Sequence, residues 1–171
     1  MKSFRERVLG ESGRKAKVNS KVKGNRNEVK VAKMLSDWTG APFRRTPASG
    51  AIHVPLDWLC GDVFCADQKF DFPFSVETKH YKRITAGMEM KFWEQAVVDA
   101  NRIDKIPMLI TRENNYPKDT WLIHLPYYTI DFFKRNLIPY INIKNVYIRV
   151  HSMDLLKHDY HDFVRSIKRD G

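Results

Sequence analysis

Cysteine is scarce in this chain: only Cys60 and Cys65 occur in 171 residues. Two cysteines make no disulfide framework at this length, and a zinc site needs more ligands at better spacing. Both read as reduced core or strand residues. Long apolar runs are missing as well. None approaches the roughly 18 residues of a membrane span, and the basic N-terminus lacks the apolar stretch of a signal peptide. The expectation is a cytoplasmic protein, or one in a host cytoplasm if a virus encodes it, that makes no use of a membrane. No internal repeat or long low-complexity segment is present. Acidic residues are the last shortage: 20 Asp and Glu face 30 Lys and Arg, for a net charge of +10.

What is present is globular. The composition is 43% hydrophobic, 12% aromatic and 29% charged, enough for one domain with a real core. The positive surplus is concentrated. Residues 1–33 hold 11 basic and 3 acidic residues, so +8 of the +10 lies there. A basic arm over residues 1–22 on a nearly neutral body, residues 23–171, points to a polyanion, most often nucleic acid. A solubilising tail, or ribosomal-type charge without catalysis, is the alternative that charge alone leaves open.

The arm is expected to be flexible. A helix is predicted from about Asn25 to Trp38, stopped by Gly40 and Pro42. A short strand over Phe43–Thr46 leads into the loop Pro47-Ala48-Ser49-Gly50. Strands follow near Asp62–Ala66 and Phe74–Lys79, joined by a turn through Asp67–Asp71, whose acids read as solvated. The stripe Trp93, Ala96, Val97, Ala100 and Ile103 predicts a helix over Met88–Asp104. A buried strand over Ile106–Thr111 comes next. The tail gives a strand at Thr120–Leu125, a helix at Thr129–Asn136, a strand at Val146–Val150 and a final helix at Asp154–Ile167. This order predicts a mixed α/β sheet with helices on both faces.

Chemistry concentrates in residues 61–79. Side chains alternate along a strand, so Glu77 and Lys79 share a face while Phe74, Val76 and Thr78 form the packed one. Asp62, at the start of the neighbouring strand, brings a second carboxylate. Two carboxylates and an ammonium on one surface can hold a divalent cation and still offer a positive group to a phosphate. Glu28 lies three, four and seven positions before Val31, Ala32 and Leu35, on the apolar stripe of the first helix. A carboxylate aimed at a core needs a cationic partner; a metal ion and a salt bridge to Lys79 both meet that need. Asp57 rivals Asp62. Lys21, Lys23, Arg26, Arg44 and Arg45 are candidates for phosphate contact, and Ser49 is by itself a turn residue. His80 should point away from the Glu77 face. His158 and His161 read as a surface pair, and Tyr127, Tyr128, Phe132 and Phe133 as core rather than base-stacking residues.

These residues resemble the PD-(D/E)xK nuclease superfamily, and within it the archaeal-type Holliday junction resolvases and their viral relatives. Lys23-Gly24 with Glu28 is similar to the opening of the family's first helix. Phe43 to Ala51, with Arg45, Pro47, Ser49 and Gly50, resembles the resolvases' Arg-x-Pro-x-Ser-Gly segment. Gly61-Asp62 and Glu77-Thr78-Lys79 stand for the acid and acid-x-Lys elements. Two departures stand out: Asp62 follows glycine instead of proline, and the stretch from Ile52 to Cys60, which contains Asp57, is long. The resemblance covers about residues 20–112, leaving 113–171 as a C-terminal α/β extension.

The resemblance implies a restriction-endonuclease-like fold, a mixed central β-sheet flanked by helices. It implies hydrolysis of DNA phosphodiesters with Mg²⁺, for which Mn²⁺ can substitute, held by Asp62, Glu77 and Glu28. Lys79 would orient water or stabilise charge, with Ser49 and Arg45 on a loop against the scissile strand. Gln95, on the following helix, is either near the site, as in some members of the superfamily, or solvated. A four-way junction is cut by paired nicks, so a homodimer acting on branched DNA is implied. Val146–Ile167 is then either its interface or a cover for one sheet edge. A nuclease acting on DNA ends or on other branched or single-stranded DNA, and a non-catalytic DNA-binding protein, are the other readings.

Overall fold

The computed structural model describes residues 20–47, 61–136, 142–143 and 146–169. Ser49, Asp57, Cys60 and nearly all of the expected arm lie outside them. Seven strands form one sheet in the order β1-β2-β3-β4-β5-β7-β6: β1 Phe43–Arg45, β2 Val63–Cys65, β3 Phe74–Tyr81, β4 Ile106–Glu113, β5 Leu122–Pro126, β6 Asn142–Ile143 and β7 Tyr147–His151. The β3–β4 pair is parallel and every other pair is antiparallel. The sheet is mixed and helices cover both faces, the restriction-endonuclease-like α/β arrangement. Among the described residues no helix is long and apolar enough to cross a membrane.

Helix α1, Ser20–Thr39, starts five residues before Asn25 and takes in the last residues assigned to the arm. Gly24 does not stop it, because a helical glycine costs only about 1 kcal/mol against alanine. Val31, Ala32 and Leu35 are buried against the sheet as their spacing requires. Each such aliphatic side chain contributes about 1.5–3 kcal/mol, less for alanine. The helix ends where Gly40 adopts φ +75° and its amide bonds back to the Ser36 carbonyl at 3.0 Å.

The predicted final helix is two helices, α4 Ser152–Leu155 and α5 Tyr160–Arg169. The break falls at Asp159, whose carboxylate accepts the Asp162 amide at 2.9 Å and starts a new helix. His158 is therefore in the connection, with its ring against Phe132, and His161 is in α5. Tyr160, Phe163, Val164 and Ile167 of α5 are buried in the same cluster as α1 and alternate residues of β3, β4, β5 and β7. Helix α3, Ile130–Arg135, adds Phe132 and Phe133 to that cluster, whereas Tyr127 and Tyr128 before it are exposed.

The other face is covered by α2, Ala86–Asn101, which crosses from β3 to β4 and begins two residues earlier than its stripe suggested because Thr85 caps it. Trp93 and Ala96 pack on Leu109 and Tyr147. Glu89 is buried at 6% exposure under this helix. It accepts from the Tyr147 hydroxyl, and from Arg149 Nη1 at 2.7 Å. His124, fully buried beside it, bonds Thr111 through Nε2 at 2.9 Å. Burial first, and then the Arg149 charge, push its pKa down to about 3, so the imidazole is neutral. Glu89→Ala leaves the Arg149 cation uncompensated in this layer. A loss of about 3–5 kcal/mol is expected, read from urea unfolding.

Candidate active site

Gly61 decides how Asp62 approaches β3. It sits at φ +73°, and a Cβ there would lie 2.3 Å from the Val76 carbonyl oxygen. Only glycine lets the chain approach β3 this closely. The approach places the Asp62 amide 2.8 Å from the Val76 carbonyl. Asp62 Oδ2 then accepts the Thr78 amide at 2.9 Å and the Thr78 hydroxyl at 3.3 Å. Asp62 is thus fixed by the middle residue of the Glu-Thr-Lys triplet. Gly61→Ala should cost at least about 1 kcal/mol from the left-handed conformation alone, and the clash should displace Asp62. Urea unfolding and a cleavage assay check the two effects separately.

Glu77 and Lys79 point to the α2 face of β3, as alternation requires: Glu77 is in register with Leu109, which packs against α2. They form an ion pair, and the Lys79 ammonium lies 5.8 Å from the centre of the Phe92 ring of α2. Burial, and then the charge of Asp62, raise the Glu77 carboxyl to about 7 against the pull of Lys79. Burial pulls the Lys79 ammonium down, but Glu77 and Asp62 outweigh it and the net shift is upward. The charge of Asp62 thus reaches both Glu77 and Lys79. Asp99 of α2 also contributes to the rise at Glu77. Sequence reading missed Asp99; the signal available was its place one turn after Gln95. The exposed Gln95 amide donates to Asp99 at 2.8 Å, so it borders this surface through that carboxylate.

Glu28 is buried at 8% exposure, as its stripe position demands. Its partner is Arg45, Nε to Oε2 at 2.8 Å, and not Lys79. The reason is the two-faced sheet: α1 packs beside β1, which carries Arg45, while Lys79 projects toward α2. Arg45 also donates to Asn25 at 3.2 Å, so its guanidinium is largely committed. The next residue, Thr46, bonds the Asp62 carbonyl through its amide, which ties the Glu28–Arg45 pair to the strand end that carries Asp62. Arg44 is exposed on the edge strand β1. Lys23 and Arg26 lie on α1, Lys23 bonded to Asn114. The backbone of Lys21 is in α1, but its side chain is outside the description. Among the described residues no three His, Cys, Asp or Glu side chains gather tightly enough to hold a metal ion by themselves.

Residues 19–170 match a family model described as "Phage putative PDDEXK endonuclease". The chain belongs to this family. It is a phage-related nuclease of the PD-(D/E)xK superfamily. A similar curated protein, Protein D14 of Escherichia phage T5, is 28% identical over 118 residues, 63% of this chain and 71% of that one. No solved structure matches this nuclease significantly.

Proposed function

We propose that the chain is a Mg²⁺-dependent, structure-selective DNA endonuclease whose preferred substrate is the four-way junction. The observation that supports the catalytic part is the Glu77–Lys79 ion pair on one face of β3, with Asp62 anchored on Thr78 between them. Two hard carboxylates, of which Glu77 is raised to about 7 by burial first and then by the charge of Asp62, suit a hard divalent cation. Mg²⁺ in particular is bound through one or two carboxylates, with water and substrate phosphate completing its shell. Asp62 and Glu77 would hold it, and Glu28, committed to Arg45, would contribute at most through water. Bound there, Mg²⁺ lowers the pKa of its water and screens the phosphate. Thr78 fixes the orientation of Asp62. Lys79, steadied by Glu77 and Phe92, places a positive charge where negative charge develops on the phosphate. Arg44 is free to meet the backbone of the scissile strand.

The test is cleavage of a synthetic four-way junction, a linear duplex and a single strand, each with Mg²⁺ and with EDTA. Junction-selective cutting that EDTA abolishes is the expected result. Equal cutting of all three would sink the junction preference, and cutting in EDTA would sink the metal requirement.

Paired nicks imply a two-fold homodimer. One observation limits where such a dimer could form. Tyr147, Ile148, Leu155, Phe163 and Ile167, offered by the sequence as a dimer surface, are at most 3% exposed within this chain's own core. Strand β7 is internal and α5 covers a sheet face. A dimer would have to use another surface. Light scattering with and without junction DNA separates the readings: a strict monomer in both states selects the end- or flap-processing enzyme.

A further inference from the structure

A pocket of about 250 Å³ opens between α1 and the ends of β3 and β4 that follow the Glu77 position. Lys23, Arg26, Asn27, Lys30, His80 and Arg112 line it. His80 adjoins Lys79 in the strand and so faces the opposite side of the sheet; Arg112 is its register partner on β4. The pocket and the acid site therefore stand back to back across one strand. No carboxylate lines the pocket. Asp119 meets Lys30 at 2.6 Å where both are about half exposed.

Two buried polar atoms here have no partner among the described residues, Asn27 Nδ2 and His80 Nε2. Asn27 is only 3% exposed. Its other amide atom is used, since Oδ1 accepts the Trp121 indole at 2.9 Å, which fixes Nδ2 as an orphan donor. Arg112 is held rigidly, with Nη1 donating to the Thr120 carbonyl at 3.1 Å and its guanidinium over the Trp121 ring at 5.6 Å. Arg26 has no partner among the described residues. Burial first, and then the charges of Lys23, Arg112 and Lys30, depress His80 to about 4, so its imidazole is neutral and adds no fifth cation. Four cations, an orphan donor and no acid are the recognition chemistry of a compact oxyanion.

We propose that this pocket binds a phosphoryl group of the nucleic-acid substrate, on the side of β3 opposite Glu77 and Lys79. Its volume admits a phosphate and excludes a base pair, so the group is either a strand-terminal monoester or a diester where the backbone turns sharply. The identity of the carrier rests on the nuclease reading; the anion site itself does not.

The experiment uses the full chain and two probes. Inorganic phosphate is titrated calorimetrically into the wild type, Arg26→Gln, Asn27→Asp and, as a control, Lys33→Gln, an exposed α1 lysine that pairs with Asp37 outside the pocket. The wild type and control should bind phosphate saturably, and the two pocket variants about tenfold more weakly or worse. Arg26 is exposed, so its variant keeps the test valid if Asn27→Asp unfolds. Labelled strands ending in 5′-phosphate, 3′-phosphate or hydroxyl then identify the source by fluorescence anisotropy. A terminal phosphate that tightens binding only while Arg26 is present assigns the monoester. Tighter binding of a branched strand than a linear one, insensitive to end chemistry but lost in Arg26→Gln, assigns the diester. No saturable phosphate binding, or equal binding by wild type and Arg26→Gln, overturns the site. Phosphate binding without any DNA cleavage would leave the pocket standing and remove only the nuclease reading of its ligand.

Discussion

Asp62→Asn and Glu77→Gln are each expected to lower DNA cleavage by about a thousandfold or more, while DNA affinity stays within a few-fold of wild type. The size follows from the several kcal/mol of charge stabilisation that a bound divalent cation supplies. Both substitutions keep the shape of the side chain and remove one ligand charge. Neither adds repulsion toward DNA. In Asp62→Asn the new carboxamide can still accept the Thr78 amide through its carbonyl oxygen, so the local fold should hold. The apo-protein adds a second readout. A carboxyl raised from the ordinary 4.5 to about 7 contributes stability that is complete below 4.5 and is lost as the pH rises through 7. The charge of Asp62 is the second cause of that rise, after burial. In EDTA, the wild type should therefore lose stability between pH 5 and pH 8, and Asp62→Asn should lose less. Urea unfolding at the two pH values measures this. Near-normal turnover in either variant sinks the assignment. If Asp57→Asn is inactive and Asp62→Asn active, the acid from the long loop is the ligand instead.

The sequence was most legible where one local rule sufficed. Alternation alone sends Glu77 and Lys79 to one face and His80 to the other, and the structure agrees. The α1 stripe buries Glu28 for the same reason. Its partner was not legible, because pairing depends on which strand lies beside α1, and that is a property of the sheet order. The same gap hid Asp99, which reaches Glu77 only because α2 crosses back over β3. Residues 154–167 read as one continuous helix, and the capping carboxylate of Asp159 divides it. The apolar residues of β7 and α5 looked equally suited to a partner and to a core. Burial decides for the core, since β7 is flanked by β5 and β6 and α5 by α1 and α3. The same alternation that turns His80 away from the acids puts it among Lys23, Arg26, Lys30 and Arg112.

Lys79→Ala should reduce turnover by about 10²–10³-fold and junction affinity far less, since other lysines and arginines supply most phosphate contacts. Two mechanisms give that loss, and pH separates them. Lys79 holds Glu77 down through its charge and its hydrogen bond. Without it the Glu77 carboxyl rises further, so at neutral pH more of it is protonated and a metal ligand is lost. If that is all Lys79 does, the acid limb of the pH–rate profile moves upward and activity returns by about pH 9, where Glu77 is ionised again. If the ammonium also acts on the phosphate or its attacking water, the acid limb moves by the same amount but the plateau stays low at every pH. The second outcome is expected, because the Lys79 side chain is 25% exposed and so is open to a bound phosphate. Full recovery at high pH would reduce Lys79 to a positioning residue for Glu77, and parallel losses of turnover and affinity would make it a DNA-binding residue.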